Sequence, residues 1–278
     1  MRTVAHLSDL HFGRIEPGTV SALLSALRAE RPDVLVVSGD FTQRATNAEF
    51  REARAFLDQI AGPQILIPGN HDVPLYDVFS RFMRPLTRYR RYIAEDLQPF
   101  YADEEIAIAG VNTARSLTFK GGRINRLQVA ALADRLCPLS GPIKIVVTHH
   151  PFDLPDGYPD RDLLLRARMA MEKMAECGAD VFLSGHLHVS HTGQTARRYR
   201  IHNHSALVVQ AGTATSSRGR GESNSFNILR VGQSAITVER WTFEPGPGSF
   251  VPVQKLHFTR TPGGWVEADE PRPNVNSV

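Results

Sequence analysis

The chain has 278 residues, 42% of them hydrophobic and 22% charged, with a formal net charge of +3. That composition is ordinary for a globular protein and supplies a sizeable core. It leaves no apolar run near the roughly 18 residues of a membrane span, and the scattered arginines form no nucleic-acid footprint.

Arg2 to Ser8 reads as a buried strand. No long apolar stretch or small-residue cleavage site precedes it, so a cytoplasmic location is expected. Val20, Leu23, Leu24 and Leu27 recur at helical spacing and form one helix face. Val34 to Ser38 is a second buried strand. Thr46 with Glu49 forms a capping box that opens a helix with Phe50, Ala53, Phe56, Leu57 and Ile60 on its apolar face. Ile65 to Ile67 is a third strand, and the alternation implies parallel βαβ units. Residues 72 to 100 break the rhythm and read as an irregular or helical excursion. Strands are expected at 106–111, 143–148 and 181–183, with a helix from Leu163 to Cys177 ending at Gly178. After residue 190 the pattern predicts antiparallel strands at 206–210, 226–231 and 236–241. The division expected is one domain over 1–258 and a loose or draped tail over 259–278. Cys137 and Cys177 lack metal-ligand spacing and read as buried reduced thiols.

Five polar segments sit where predicted strands end: Asp9-Leu10-His11, Gly39-Asp40, Gly69-Asn70-His71-Asp72, His149-His150 and Gly185-His186-Leu187-His188. Carboxyl ends of strands form the ligand crevice of open α/β sheets, so the five should converge. Imidazole and carboxylate suit zinc, manganese and iron. In Asp-x-His and His-x-His an extended backbone points residues i and i+2 the same way, toward one ion. Asp40, alone at its strand end, is the natural bridging ligand. Two divalent ions outweigh Asp9, Asp40 and one hydroxide, which leaves positive charge for an anionic ester. Either His149 or His150 fits as the ligand from that segment. Proline after His150 constrains the latter's backbone.

The ordered set resembles the signature of calcineurin-like metallophosphoesterases. The supporting stretches, with Gly121-Gly122-Arg123-Ile124 and Gln128, look most like bacterial class III cyclic-nucleotide phosphodiesterases. The resemblance implies a four-layer α/β/β/α sandwich with mixed sheets. It implies one metal on Asp9, His11, Asp40 and His188, and a second on Asp40, Asn70, His149 and His186. The family places its ligand first in the His149-His150 pair. His71 and Asn70 would contact the substrate, His71 at the scissile phosphate or as the acid that protonates the leaving oxygen, with Asp72 orienting it. The implied cofactor is a pair of divalent or mixed-valence transition metals (iron, manganese or zinc). The implied reaction is hydrolysis of a small phosphodiester by a metal-bound hydroxide, with a 3′,5′-cyclic nucleotide such as cyclic AMP in the lead. A glycerophosphodiester, a nucleotide-lipid pyrophosphate or a phosphomonoester is the alternative within that chemistry, and a non-catalytic scaffold lies outside it. The implied partner is a small phosphoester, and a homodimer is a family expectation.

Other polar residues carry bland readings. His6 lies inside a strand and reads as packed. His191, His202 and His204 read as surface or rim residues. Arg81 to Tyr92 reads as a solvated helix with an apolar face. Asn112, Arg218 and Arg220 lie on loops within reach of an anion.

Overall fold

The apolar runs of the sequence become strands covered on both faces. The computed structural model describes residues 1–75, 77–117, 120–199, 201, 204–217 and 221–269. The first half contains β1 (Arg2–Leu7), α1 (Thr19–Glu30), β2 (Val34–Val37), α2 (Asn47–Leu57), β3 (Gln64–Leu66), α3 (Val78–Met83), α4 (Thr87–Tyr92), β4 (Phe100–Ala102), β5 (Ile106–Gly110) and α5 (Arg126–Leu136). The second contains β6 (Ile143–Val147), α6 (Ala167–Glu176), β7 (Val181–Ser184), β8 (His191–Gln194), α7 (Ala196–Tyr199), β9 (Leu207–Gln210), β10 (Ser225–Val231), β11 (Ala235–Glu244), β12 (Ser249–Thr261) and β13 (Gly264–Ala268).

A seven-stranded sheet runs β13-β12-β11-β10-β1-β2-β3, and a six-stranded sheet runs β4-β5-β6-β7-β9-β8. β1, β2 and β3 are parallel, whereas β10 joins β1 antiparallel. In the second sheet β5, β6, β7 and β9 are parallel, with β4 and β8 antiparallel at the edges. The 206–210 strand therefore belongs to the parallel set rather than to an antiparallel run.

Period-two alternation sorts each strand's side chains into two cores. Val4, Val34, Val36, Ile65, Ile145 and Val181 fill the space between the sheets. Ala5, Leu7, Leu35 and Val37 face outward and pack under Leu23, Leu27, Phe50 and Phe56 of α1 and α2. On the far side Ala107, Val146 and Phe182 pack against Val129, Leu132, Met171 and Met174 of α5 and α6. Each fully buried Val, Ile or Leu contributes about 1.5–3 kcal/mol. The result is the four-layer α/β/β/α sandwich with mixed sheets that the sequence resemblance implies.

Local signals explain the helix starts. Thr46 accepts from Glu49 N while Glu49 returns a bond to the Thr46 backbone, which is the capping box read from the sequence. A second box, Asn125 with Gln128, opens α5. The excursion after residue 72 is less solvated than expected: Tyr89 is fully buried and Arg81 donates to Pro74 O from a buried position.

Two further expectations fail. Cys137 and Cys177 form a disulfide rather than two free thiols. They are the C-terminal caps of α5 and α6, which pack side by side, and a sequence separation of 40 residues conceals that proximity. The chain also does not loosen after residue 258. β12 continues to Thr261 and β13 returns along it. Trp265 anchors the return: it is buried in the inter-sheet core and its indole N–H donates to Asp180 Oδ1 at 2.9 Å. Residues 270–278 of the expected tail lie outside the described residues. Trp265→Ala should cost about 3–5 kcal/mol of unfolding free energy. Urea denaturation measures it, and a loss below about 1 kcal/mol would show that the hairpin is peripheral to the core.

Candidate metal centre

β1, β2 and β3 of one sheet and β6 and β7 of the other end at the same edge of the sandwich. Cross-sheet hydrogen bonds lock those ends together. His149 Nδ1 donates to Ser38 O at 2.8 Å, and His186 N donates to Asp9 Oδ2 at 2.9 Å. Glycine makes the approach feasible. A Cβ on Gly69 would lie 2.0 Å from Asp40 Oδ1, and one on Gly185 would lie 1.7 Å from Ser8 Oγ.

The turns differ from the extended geometry expected of Asp-x-His and His-x-His. Asp9, His11, Asp40, His186 and His188 all adopt positive φ, between 50° and 76°. Left-handed backbone is costly for such residues and persists where the surroundings over-determine it. The side chains converge because tight turns leave the strand ends, not because a strand continues.

Two groups of donor atoms result. Asp9, His11, Asp40 and His188 bring their ligand atoms within 4.8 Å of one another, and all four are buried. His188 Nε2 lies 3.2 Å from Asp9 Oδ1 and 3.2 Å from His11 Nε2. Beside them, Asn70 Oδ1 stands 3.1 Å from His149 Nε2 and 3.0 Å from His186 Nδ1. Asp40 joins the groups: its Oδ2 lies 3.7 Å from His11 Nε2 and 3.5 Å from His149 Nε2. Its Oδ1 accepts from His71 N at 2.8 Å.

This donor set fits metal ions. Asp9 Oδ1 is buried without a hydrogen bond of acceptable geometry, although His188 and His11 stand near it. Buried carboxylate oxygens without a partner are expensive, and a cation relieves the cost. The imidazoles are also prepared. His11 and His149 direct Nδ1 at the backbone carbonyls of Thr42 and Ser38, which leaves Nε2 for the site.

His149 and His150 separate clearly. His150 comes within 4.8 Å of His149 and His186. Yet its Nδ1 pairs with Thr113 Oγ1 at 2.9 Å and its Nε2 donates to Lys120 O at 3.0 Å. With both ring nitrogens engaged, it supports the site from behind. Asp72 also differs from its expected role. Its carboxylate accepts from Phe41 N, Thr42 N, Thr42 Oγ1 and Gly69 N, so it braces the turn that carries Asp40. The partner of His71 Nδ1 is Gln43 O at 3.0 Å, not Asp72. His6 is packed as expected, with Nε2 3.0 Å from Ser38 Oγ. His191 and His204 are half-buried beyond the cluster. Asn112 is buried and its Oδ1 accepts Ala114 N within its own turn. His202, Arg218 and Arg220 lie outside the described residues.

A cleft of about 330 Å³ opens over Asp40, Asn70, His71, His186 and His188, with Lys120 and Arg161 on its wall. Sequence reasoning missed this lysine and arginine. Lys120 stands beside Gly121-Gly122, but Arg161 carries no local signal.

Electrostatics follow from crowding. Burial would raise the Asp9 carboxyl, but His188 and His11 beside it hold it well below the ordinary range. Burial opposes ionisation of Asp40 too, and His149 and His71 outweigh it, so its pKa is lowered. His149 is the reciprocal case: burial disfavours its charge, yet Asp40 holds its pKa up at about 9. Burial, then His149, pushes His186 down to about 3. Burial, then Asp40, raises Asp72 to about 7.

A two-sheet sandwich with this cluster at its strand ends defines a metallophosphoesterase architecture. The chain belongs to the calcineurin-like phosphoesterase family, whose model matches residues 2–190. It is 32% identical over 172 residues to the glycerophosphodiester phosphodiesterase GpdQ of Enterobacter lignolyticus, covering 57% of this chain and 60% of that protein. It is 26% identical over 195 residues to a probable cyclic nucleotide phosphodiesterase of Rhodopseudomonas palustris, covering 66% and 70%. The match to the first thus spans less than two thirds of the relative's length. Among solved structures the chain is similar to a dimetal phosphatase from Danio rerio, with a TM-score of 0.68 at 13% identity, covering 94% of this chain and 99% of that one. That likeness concerns the fold.

Gly69→Ala should displace Asp40 and lower Mn²⁺ affinity by roughly 10–100-fold. Calorimetric titration measures it, and unchanged affinity would contradict the close packing at Asp40. His149 has a raised pKa, so in the metal-free protein it stays protonated at neutral pH and loses its proton only as the pH passes about 9. Metal must displace that proton, so Mn²⁺ affinity should rise between about pH 6 and pH 9. A flat profile would remove His149 from the ligand set.

Proposed function

We propose that the chain hydrolyses a small phosphodiester at a dinuclear metal centre held by Asp9, His11, Asp40, Asn70, His149, His186 and His188. The observation that supports this reading best is Asp40 Oδ2, set between His11 Nε2 and His149 Nε2 where the two donor groups meet. When bound, the metal pair supplies Lewis acidity and lowers the pKa of water toward ~7.

The residues around that centre have separable tasks. Asp9 and Asp40 bring negative charge into a buried site and leave it dependent on cations. Asn70 presents a neutral oxygen to the second group. His71 borders the cleft with Nδ1 donating to Gln43 O, and as an imidazolium it would carry on Nε2 the proton for the departing ester oxygen. Lys120 and Arg161 give the cleft wall positive charge suited to a phosphate anion.

The leading substrate is a 3′,5′-cyclic nucleotide such as cyclic AMP, supported by the similarity to probable cyclic nucleotide phosphodiesterases. A glycerophosphodiester is the second reading, supported by the 32% identity to GpdQ. Iron, manganese and zinc all suit these ligands. Among the described residues no helix is long and apolar enough to cross a membrane.

The test is a Mn²⁺ assay comparing a chromogenic diester, a chromogenic monoester, cyclic AMP and a glycerophosphodiester. Diester hydrolysis is expected, and activity on the monoester alone would overturn the reading. His71→Ala should keep its metal and slow turnover by roughly 10²–10⁴-fold. Full turnover in that variant would remove His71 from proton transfer.

A further inference from the structure

A second pocket of about 670 Å³ adjoins the metal cleft, and the two share Arg161. Its walls carry Leu117, Leu163 and Leu165, with Arg123 at its side. Leu117 is 83% exposed and Leu165 59% exposed. Leu163 also packs against the helix-side core, whereas Leu117 and Leu165, so exposed, add little to it and gain by covering a ligand.

The pocket is built on the site rather than merely near it. Arg123 and Leu165 form a parallel bridge, with Leu165 N donating to Gly122 O at 3.0 Å. Lys120 O, at the start of the same loop, accepts from His150 Nε2. Gly122 lies so close to the His150 ring that a Cβ would fall 2.2 Å from it. The leucine wall is thereby held in register with the segment that presents His149.

The chemistry of the walls selects an occupant. Arg115 also lines the pocket, but its guanidinium is spent on Asn112 O, Ala114 O and Gln128 Oε1. Arg123 and Arg161 are exposed and keep planar guanidinium faces that stack on aromatic rings. Leucines with stacking arginines favour a flat, weakly polar ring. Glycerol offers no apolar face, and its hydroxyls would lose water against leucine without gaining partners.

We infer that this pocket binds the aromatic base of a nucleoside phosphodiester, and that Leu117 and Leu165 set selectivity for such esters over glycerophosphodiesters. The inference rests on the phosphodiesterase reading and narrows its substrate class. The reacting phosphate stays over Asp40, and the ring extends past Arg161 between the leucines.

The test separates binding from turnover. Calorimetry on the Mn²⁺-loaded protein compares AMP with glycerol 3-phosphate, which share the phosphate and differ in the ring. AMP should bind at least about tenfold more tightly, and the double variant Leu117→Ser/Leu165→Ser should erase most of that ratio. Leu127→Ser, at a position 82% exposed and outside the pocket, should keep it. Equal binding of the two ligands, or a ratio that survives the double variant, overturns the inference. In parallel, kcat/KM is measured for cyclic AMP and a glycerophosphodiester. A retained AMP preference with no diester turned over would count against the hydrolase reading and leave the pocket assignment standing.

Discussion

The Asp40 carboxylate is the constraint on which the site depends. It is buried at the end of β2 with one oxygen committed to His71 N and the other facing imidazoles of both donor groups. A carboxylate so placed, beside a second buried carboxylate at Asp9, needs positive charge nearby. In the metal-free protein a proton on His149 supplies part of it. Two cations would supply it fully, and their binding would add to folding stability by mass action.

Much surrounding structure keeps that carboxylate in place. Asp72 gathers Phe41 N, Thr42 N and Gly69 N around the Asp40 turn. Gly69 is small because Asp40 occupies the space a side chain would need. Thr213 Oγ1 and Thr215 Oγ1 donate to Asp9 O and Leu10 O, fixing the turn that delivers Asp9 and His11. These bonds tie left-handed residues to neighbouring chain segments, so the local strain is offset by the rest of the sandwich. The site's turns are thus held by hydrogen bonds that need no bound substrate, an arrangement suited to catalysis by positioning.

Much of this was legible in the sequence. Strand ends followed by Asp, Asn and His are local signals, and parallel βαβ topology brings such ends to one edge. The Val, Ile and Leu runs of β1, β2, β6 and β7 announced strands buried on both faces. What escaped detection was non-local. The disulfide joins helix ends 40 residues apart. Trp265 looked like part of a loose Pro-Gly-Gly tail, because its core partners come from both sheets. Asp72 stood beside His71 in sequence, yet the chain turns its carboxylate toward Phe41 and Thr42. His149 and His150 were separated only by their hydrogen bonds: Thr113 Oγ1 and Lys120 O occupy the ring of the second.

Asp40 would serve both cations of the centre, since its carboxylate stands between the two donor groups. Anomalous diffraction from crystals grown with Mn²⁺ tests it most directly. The account predicts two strong peaks on either side of Asp40, one amid Asp9, His11 and His188, the other amid Asn70, His149 and His186. A single peak, or a second ion on His150 and away from Asp40, would contradict it.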